Sequence, residues 1–156
     1  MILRILAVLV LLIGGAMIYA RLAPSNPVAW HTDPTAATAT ARGGWLIRPE
    51  GGSGAAPVFA TDPAALLAAL DAVAMGTPRT QRLAGSVEEG RITYTSRSRL
   101  WGFPDYTTVT TVAVGEGAAP VIWARQRFGA EDLGVNRARV EGWLTQLAEV
   151  VPPLAP

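Results

Sequence analysis

The first pattern along the chain is an unbroken apolar run. Residues 5–20 carry no charge and are mostly Ile, Leu, Val and Ala, with Arg4 before them and Arg21 after. At about 1.5 Å per residue the run spans roughly 24 Å, against a hydrocarbon core of about 30 Å. Residues 1–3 are apolar too, and arginine side chains at either end can snorkel toward headgroups, which brings the segment to a spanning length. The run therefore predicts a membrane anchor over 1–21. A cleaved signal peptide, with Arg4 as its charged start, and a buried core helix are the competing readings. No polar stretch precedes Ala20, and Ile18 spoils a small-x-small cleavage site there. The amino terminus and Arg4 favour a cytoplasmic start with the remainder exported, while Arg21 on the other flank argues the opposite.

Periodicity then lapses. Over 22–56, Pro24, Pro27 and Pro34 interrupt any helix, residues 35–44 are rich in Ala, Thr and Gly, and Gly51, Gly52 and Gly54 follow. Each proline lacks a donor and restricts its predecessor. A structureless stretch of this length reads as a linker. Trp30 is expected at a membrane–water interface, and Trp45 packed back on the folded part. His31 is expected as an exposed or interfacial histidine, with a ligand or proton-transfer role as the alternative.

Regular patterns return at 57–151, the predicted folded domain, leaving 152–156 as a tail. Asp62-Pro63 is a helix start, with Asp62 as cap and Pro63 in the first turn. Leu66, Leu67, Leu70, Val73 and Ala74 form one helical face, closed by Gly76 and Pro78. Four strands are expected at 80–86, 91–100, 106–114 and 120–128, rich in Thr, Val, Ile and Tyr and bounded by Gly or Pro. Two hairpins joined through Trp101-Gly102-Phe103-Pro104-Asp105 make a four-stranded antiparallel meander. A last helix at about 136–150 places Val140, Trp143, Leu144, Leu147 and Val151 on one face. The fold class is thus α+β: an N-terminal transmembrane helix, then a two-layer sandwich of the meander and two helices.

Composition narrows the chemistry. The 156 residues hold 13 basic side chains, all arginine, 12 acidic ones, a single histidine (His31) and no cysteine. Thiolate catalysis, disulfides and cysteine metal sites are excluded, as are lysine Schiff bases and a phosphate-loop lysine. A net charge of +1 without a basic stripe argues against nucleic-acid partners. No Gly-rich phosphate loop, nucleophile elbow or metal-ligand spacing occurs, so no cofactor is implied.

The informative polar residues come late. Strand alternation puts Arg97 and Arg99 on one face with Thr93 and Thr95, and Arg125 and Arg127 on one face with Trp123. Glu131, Asp132 and Asn136 precede Arg137 and Arg139. Asn136 lies on the apolar face of the last helix, four residues before Val140, and a buried amide there needs backbone partners. Asp132 is placed to cap the turn at Gly134. Arg97, Arg99, Arg125, Arg127, Asp132, Asn136, Arg137 and Arg139 form a candidate site for an anionic ligand or partner, with bidentate guanidinium contacts and Trp123 stacked on an arginine. The competing reading pairs these arginines internally with Asp105, Glu131 and Asp132. Catalysis by Asp105 or Asp132 alone is the third, disfavoured because neighbouring arginine lowers a carboxyl pKa.

At Phe103-Pro104-Asp105 and at Asp132-Leu133-Gly134-Val135-Asn136-Arg137-Ala138-Arg139-Val140, the chain resembles the domain-of-unknown-function family numbered 1499, over about 80–147. The resemblance implies a small bacterial envelope protein, often with an N-terminal hydrophobic segment, and no established activity, cofactor or substrate. Where members tend to have Ser-x-Ser-Arg this chain has Ala124-Arg125-Gln126-Arg127, and it lacks a cysteine common near the start of the domain. The expectation is an inner-membrane, single-pass protein with a periplasmic domain that binds a partner protein or an anionic envelope ligand. An envelope hydrolase and a purely structural scaffold are the alternatives.

Overall fold

Apolar side chains with no periodic polar face make the first element a plain cylinder. α1 (Ile2–Leu22) is one continuous helix, about 32 Å long. It is long and apolar enough to cross a membrane, and Ala20 alone among its side chains is buried. A computed structural model of the chain describes residues 1–38, 43–129 and 131–155. Residues 39–42, within the Ala/Thr/Gly-rich run, and residue 156 of the expected tail lie outside the described residues.

After α1 come a one-turn helix α2 (Pro27–Trp30) and two short strands, β1 (Trp45–Arg48) and β2 (Gly54–Ala55). The expected helix follows as α3 (Pro63–Gly76): Asp62 Oδ1 accepts from Ala65 N at 2.9 Å, and Pro63 occupies the first turn. The four expected strands are β3 (Thr80–Ser86), β4 (Arg91–Arg97), β5 (Pro104–Val114) and β6 (Gly117–Gln126), and α4 (Val135–Val150) closes the chain. β4 stops three residues short of its expected end, because 98–103 form a tight turn in which Ser98 N donates to Phe103 O. β6 starts earlier than expected: Gly115 adopts a positive φ of 55° in a two-residue turn, and pairing begins at Gly117.

The sheet has six strands in the order β2-β1-β6-β5-β4-β3. β3 to β6 form an antiparallel meander, but it is not the whole sheet: β1 adds antiparallel to β6, and β2 adds parallel to β1. Pro120 is tolerated in β6 because β1 pairs only with residues 122–124 there. α3 and α4 cover one face. Leu66, Leu67, Leu70 and Ala74 of α3, and Val140, Trp143 and Leu147 of α4, pack on Ile47, Ile92, Tyr94, Val109, Ile122 and Ala124. Each fully buried Leu or Ile there contributes about 1.5–3 kcal/mol. Trp143 meets Tyr94 edge-on at 5.6 Å, and its Nε1 donates to Thr77 Oγ1 at 2.8 Å, so the largest core side chain leaves no polar atom unpaired.

The 22–56 stretch is not the linker its composition suggests. β1 and β2 belong to the sheet, and 23–37 lie across its second face. Proline prevents a continuous helix there, yet it leaves backbone carbonyls free to accept from the sheet's side chains. Trp30 is stacked on Tyr106 rather than held at a membrane interface, and Ala37 packs with Leu46 and Val121. The tail is tied down as well: Phe59 bridges Ala118 on one side and Pro153 on the other.

Candidate anion-binding cleft

The turn before α4 is held by its own side chains. Asp132 Oδ1 accepts from Gly134 N at 3.0 Å and Oδ2 from Asn136 N at 2.7 Å, so both carboxylate oxygens serve the helix start. Gly134 supplies the left-handed conformation (φ 80°) that this turn needs. Asn136 is fully buried; its Nδ2 donates to Gly43 O and its Oδ1 accepts from Arg139, each at 2.7 Å. Arg139 also pairs with Asp105 at 3.1 Å. Burial, the largest influence, pushes the Asp105 carboxyl above its ordinary range, and the charge and hydrogen bond of Arg139 oppose it. Arg137 pairs with Glu141 at 2.7 Å and lies over the Trp45 ring. This cluster closes on itself.

Arg125 and Arg127 occupy the opposite face, under the proline-rich strap. Arg125 is only 7% exposed and donates to Trp30 O, Thr32 Oγ1 and Thr108 Oγ1. Its guanidinium carbon stands 4.1 Å from the Trp123 ring centre and 5.4 Å from that of Trp30. Among the described residues it has no carboxylate partner. Burial lowers its pKa to about 10, which still leaves it cationic at neutral pH. Arg127 donates to Pro24 O and Tyr106 Oη, both at 3.0 Å. His31 belongs to the same seam: Nδ1 is 2.9 Å from Thr93 Oγ1, and Nε2 accepts from Arg91 Nε at 3.3 Å. Burial first, then the Arg91 charge, lower its pKa.

Arg97 and Arg99 are elsewhere again, at the end of β4 and in the turn after it, and they line a cleft. It encloses about 580 Å³, and its lining includes Arg21, Arg79, Arg82, Arg97 and Arg99 with no acidic side chain among the described residues. The walls come from five places: the last turn of α1, the strap at Ser25, the turn before β3, the strands β3 and β4, and the 98–102 turn. Arg21 donates to the carbonyls of Leu100 (3.0 Å) and Trp101 (3.3 Å), Arg79 Nε to Arg97 O (3.2 Å), and Arg97 Nη1 to Gly102 O (3.0 Å). Arg82 alone has a carboxylate, Asp71 at 2.5 Å. Asp71 also accepts from Tyr94 Oη at 2.7 Å, and that bond adds to burial in raising the Tyr94 pKa. Thr95 lines the cleft, 9% exposed, and its Oγ1 has no partner among the described residues. A smaller cavity of about 290 Å³ shares Arg79, Arg97 and Arg99 and reaches Asp105 and Arg139 on the helix side.

The eight expected site residues therefore divide three ways, and two of them meet at the cleft. Arg21, Arg79 and Arg82 were not expected there. Arg21 lies about eighty residues from the turn it grips, and Arg79 reaches its place through a left-handed φ of 59°, which its sequence does not announce. The cleft offers cationic and hydroxyl donors, a composition suited to holding an anion. Among the described residues no three His, Asp or Glu side chains gather as a metal site.

These features define a small α+β domain with an apolar N-terminal helix and an arginine cleft where the two meet. The chain belongs to the family of proteins of unknown function (DUF1499), whose model matches residues 24–147. The matched stretch includes the strap and ends within α4; α1 and Arg21 lie outside it. No curated protein and no solved structure matches the chain.

Proposed function

We propose that the protein is a membrane-tethered binding domain: α1 anchors it in the bacterial inner membrane, the remainder is exported to the periplasm, and the arginine cleft binds an anionic group. The observation that carries this reading is five arginines around one cleft with no acidic side chain among the described residues of its lining. Asp105 is committed to Arg139 and Asp132 to the α4 start, which supports binding over hydrolysis by either acid. Arg4 together with the amino terminus outnumbers Arg21 at the flanks of α1, in keeping with an N-terminus inside.

Thermal unfolding of the full chain in neutral detergent tests the cleft. Inorganic phosphate, glycerol 3-phosphate and short-chain phosphatidylglycerol are the probes. At least one is expected to raise the Tm of the native chain and to have no effect on the Arg79→Gln/Arg99→Gln variant. Indifference of the native chain to all three overturns the binding reading. Fusions at the C-terminus test orientation: alkaline phosphatase is expected to be active there, and a reporter active only in the cytoplasm overturns the exported topology.

A further inference from the structure

Resting on that reading, we infer that the anion is the phosphate of an anionic phospholipid headgroup, taken from the leaflet in which α1 ends. Three observations point to a lipid over a soluble anion. Arg21 belongs both to the last turn of α1 and to the cleft lining, so the cleft opens where the apolar helix ends. The rim there is apolar and uncovered: Leu22 is 76% exposed, Leu100 68% and Tyr19 66%, with Trp101 beside them. Such a surface gains by facing acyl chains and the interface, where Tyr and Trp are favoured, and gains nothing from a soluble anion. The interior, by contrast, is cationic. Arg79, Arg97 and Arg99 have no carboxylate partner among the described residues, and the buried, unpartnered Thr95 hydroxyl supplies a further donor.

A phosphodiester oriented by its acyl chains along Tyr19 and Leu22 brings its non-bridging oxygens to these donors. Acyl burial and charge then add in one ligand, and each Arg near an anionic surface contributes about fivefold in affinity. A free headgroup has only the charge. A zwitterionic lipid has the chains, but its ammonium group faces arginines.

The test titrates the full chain, in neutral detergent micelles, with dihexanoyl phosphatidylglycerol, dihexanoyl phosphatidylcholine and glycerol 3-phosphate, following tryptophan fluorescence. The phosphatidylglycerol is expected to bind at least tenfold tighter than either of the others. Arg99→Gln, an exposed side chain with no hydrogen bond among the described residues, is expected to weaken it about fivefold, and Arg99→Glu further. Arg137→Gln removes the same charge on α4 and is expected to change nothing. Equal binding of lipid and glycerol 3-phosphate, lost in Arg99→Glu, overturns the lipid source while leaving the anion-binding reading intact. Binding of phosphatidylcholine as tight as phosphatidylglycerol, or lipid binding indifferent to Arg99→Glu, overturns the assignment of the cleft. Absence of binding by any probe overturns both readings.

Discussion

The indole of Trp30 lies flat on the ring of Tyr106, 3.9 Å between centres and 16° from parallel. Through this pair the proline-rich strap becomes part of the sheet's second face. The strap's carbonyls and hydroxyls add partners to side chains of the sheet: Trp30 O and Thr32 Oγ1 receive Arg125, Pro24 O receives Arg127, and Ser25 Oγ meets Tyr106 Oη at 2.7 Å. The buried Arg125 cation is thus neutralised by dipoles and ring faces alone. Replacing Trp30 by alanine is expected to cost about 2 kcal/mol, from the lost stack and the lost burial. It also opens Arg125 to water, so limited proteolysis is expected to cut within 23–38 in Trp30→Ala and not in Trp30→Phe. Equal resistance of both variants would separate the strap's order from this pair.

His31 makes the same strap sensitive to acid. Its Nε2 accepts from Arg91, which requires the neutral ring with the proton on Nδ1, beside Thr93. A histidine whose folded-state pKa is depressed binds fewer protons in the native state. Its contribution is therefore complete above the unfolded value of about 6.5 and is lost as pH falls through the lower folded value. The protection factors of the strap amides, taken relative to the intrinsic exchange rate at each pH, are expected to fall below pH 6, with His31→Asn removing that dependence. A native chain whose strap protection factors do not change with pH would contradict it.

Asp105 has the opposite sign. Burial raises its carboxyl pKa despite Arg139, so the native state binds more protons than the unfolded chain. Stability then falls as pH rises from the ordinary Asp value, about 3.9, through the higher folded value. Arg139→Gln removes the two largest influences that hold the pKa down, the arginine charge and its hydrogen bond. The expected outcome is a still higher Asp105 pKa and a falling slope that extends to higher pH, while Asp105→Asn abolishes the slope. Urea denaturation from pH 3.5 to 7.5 measures all three. A lower Asp105 pKa in Arg139→Gln would refute the balance described.

The long helices and the four meander strands are legible from local pattern, apart from the ends of β4, β5 and β6, and the rest depends on contacts distant in sequence. α1, α3 and α4 announce themselves through apolar spacing and capping residues such as Asp62 and Asp132, and β3 to β6 through alternation between turn signals. Thr93 and Thr95 share a face with Arg97, as alternation indicates, but both are buried, because the strap covers one and the cleft wall encloses the other. Residues 23–38 have no period to detect, since they attach through carbonyls that every sequence possesses. Aromatic Trp30 and apolar Trp45-Leu46-Ile47 were the available sign that 22–56 folds onto something. The late arginines formed one cluster in the sequence, but strand geometry sends Arg125 and Arg127 under the strap, Arg137 and Arg139 to α4, and Arg97 and Arg99 to the end of β4 and the turn after it.

The junction between α1 and the domain is narrow enough to test with one methyl group. Gly102 holds a φ of 71°, and a Cβ there would come within 2.6 Å of Arg21 Cγ, close to the root of that side chain. Gly102→Ala therefore carries two costs: a left-handed backbone at a non-glycine residue, about 1–2 kcal/mol, and displacement of Arg21 from the Leu100 and Trp101 carbonyls. Only the second depends on Arg21. In an Arg21→Ala background the three nearest atoms to the added methyl are gone, and Gly102→Ala is expected to cost only the backbone share. The double variant should then be more stable than the sum of the two single losses implies, by about 1 kcal/mol, a coupling measurable by denaturation of the four chains in detergent. Strict additivity would mean that α1 does not press on the 98–102 turn, and it would remove the wall that Arg21 provides for the cleft.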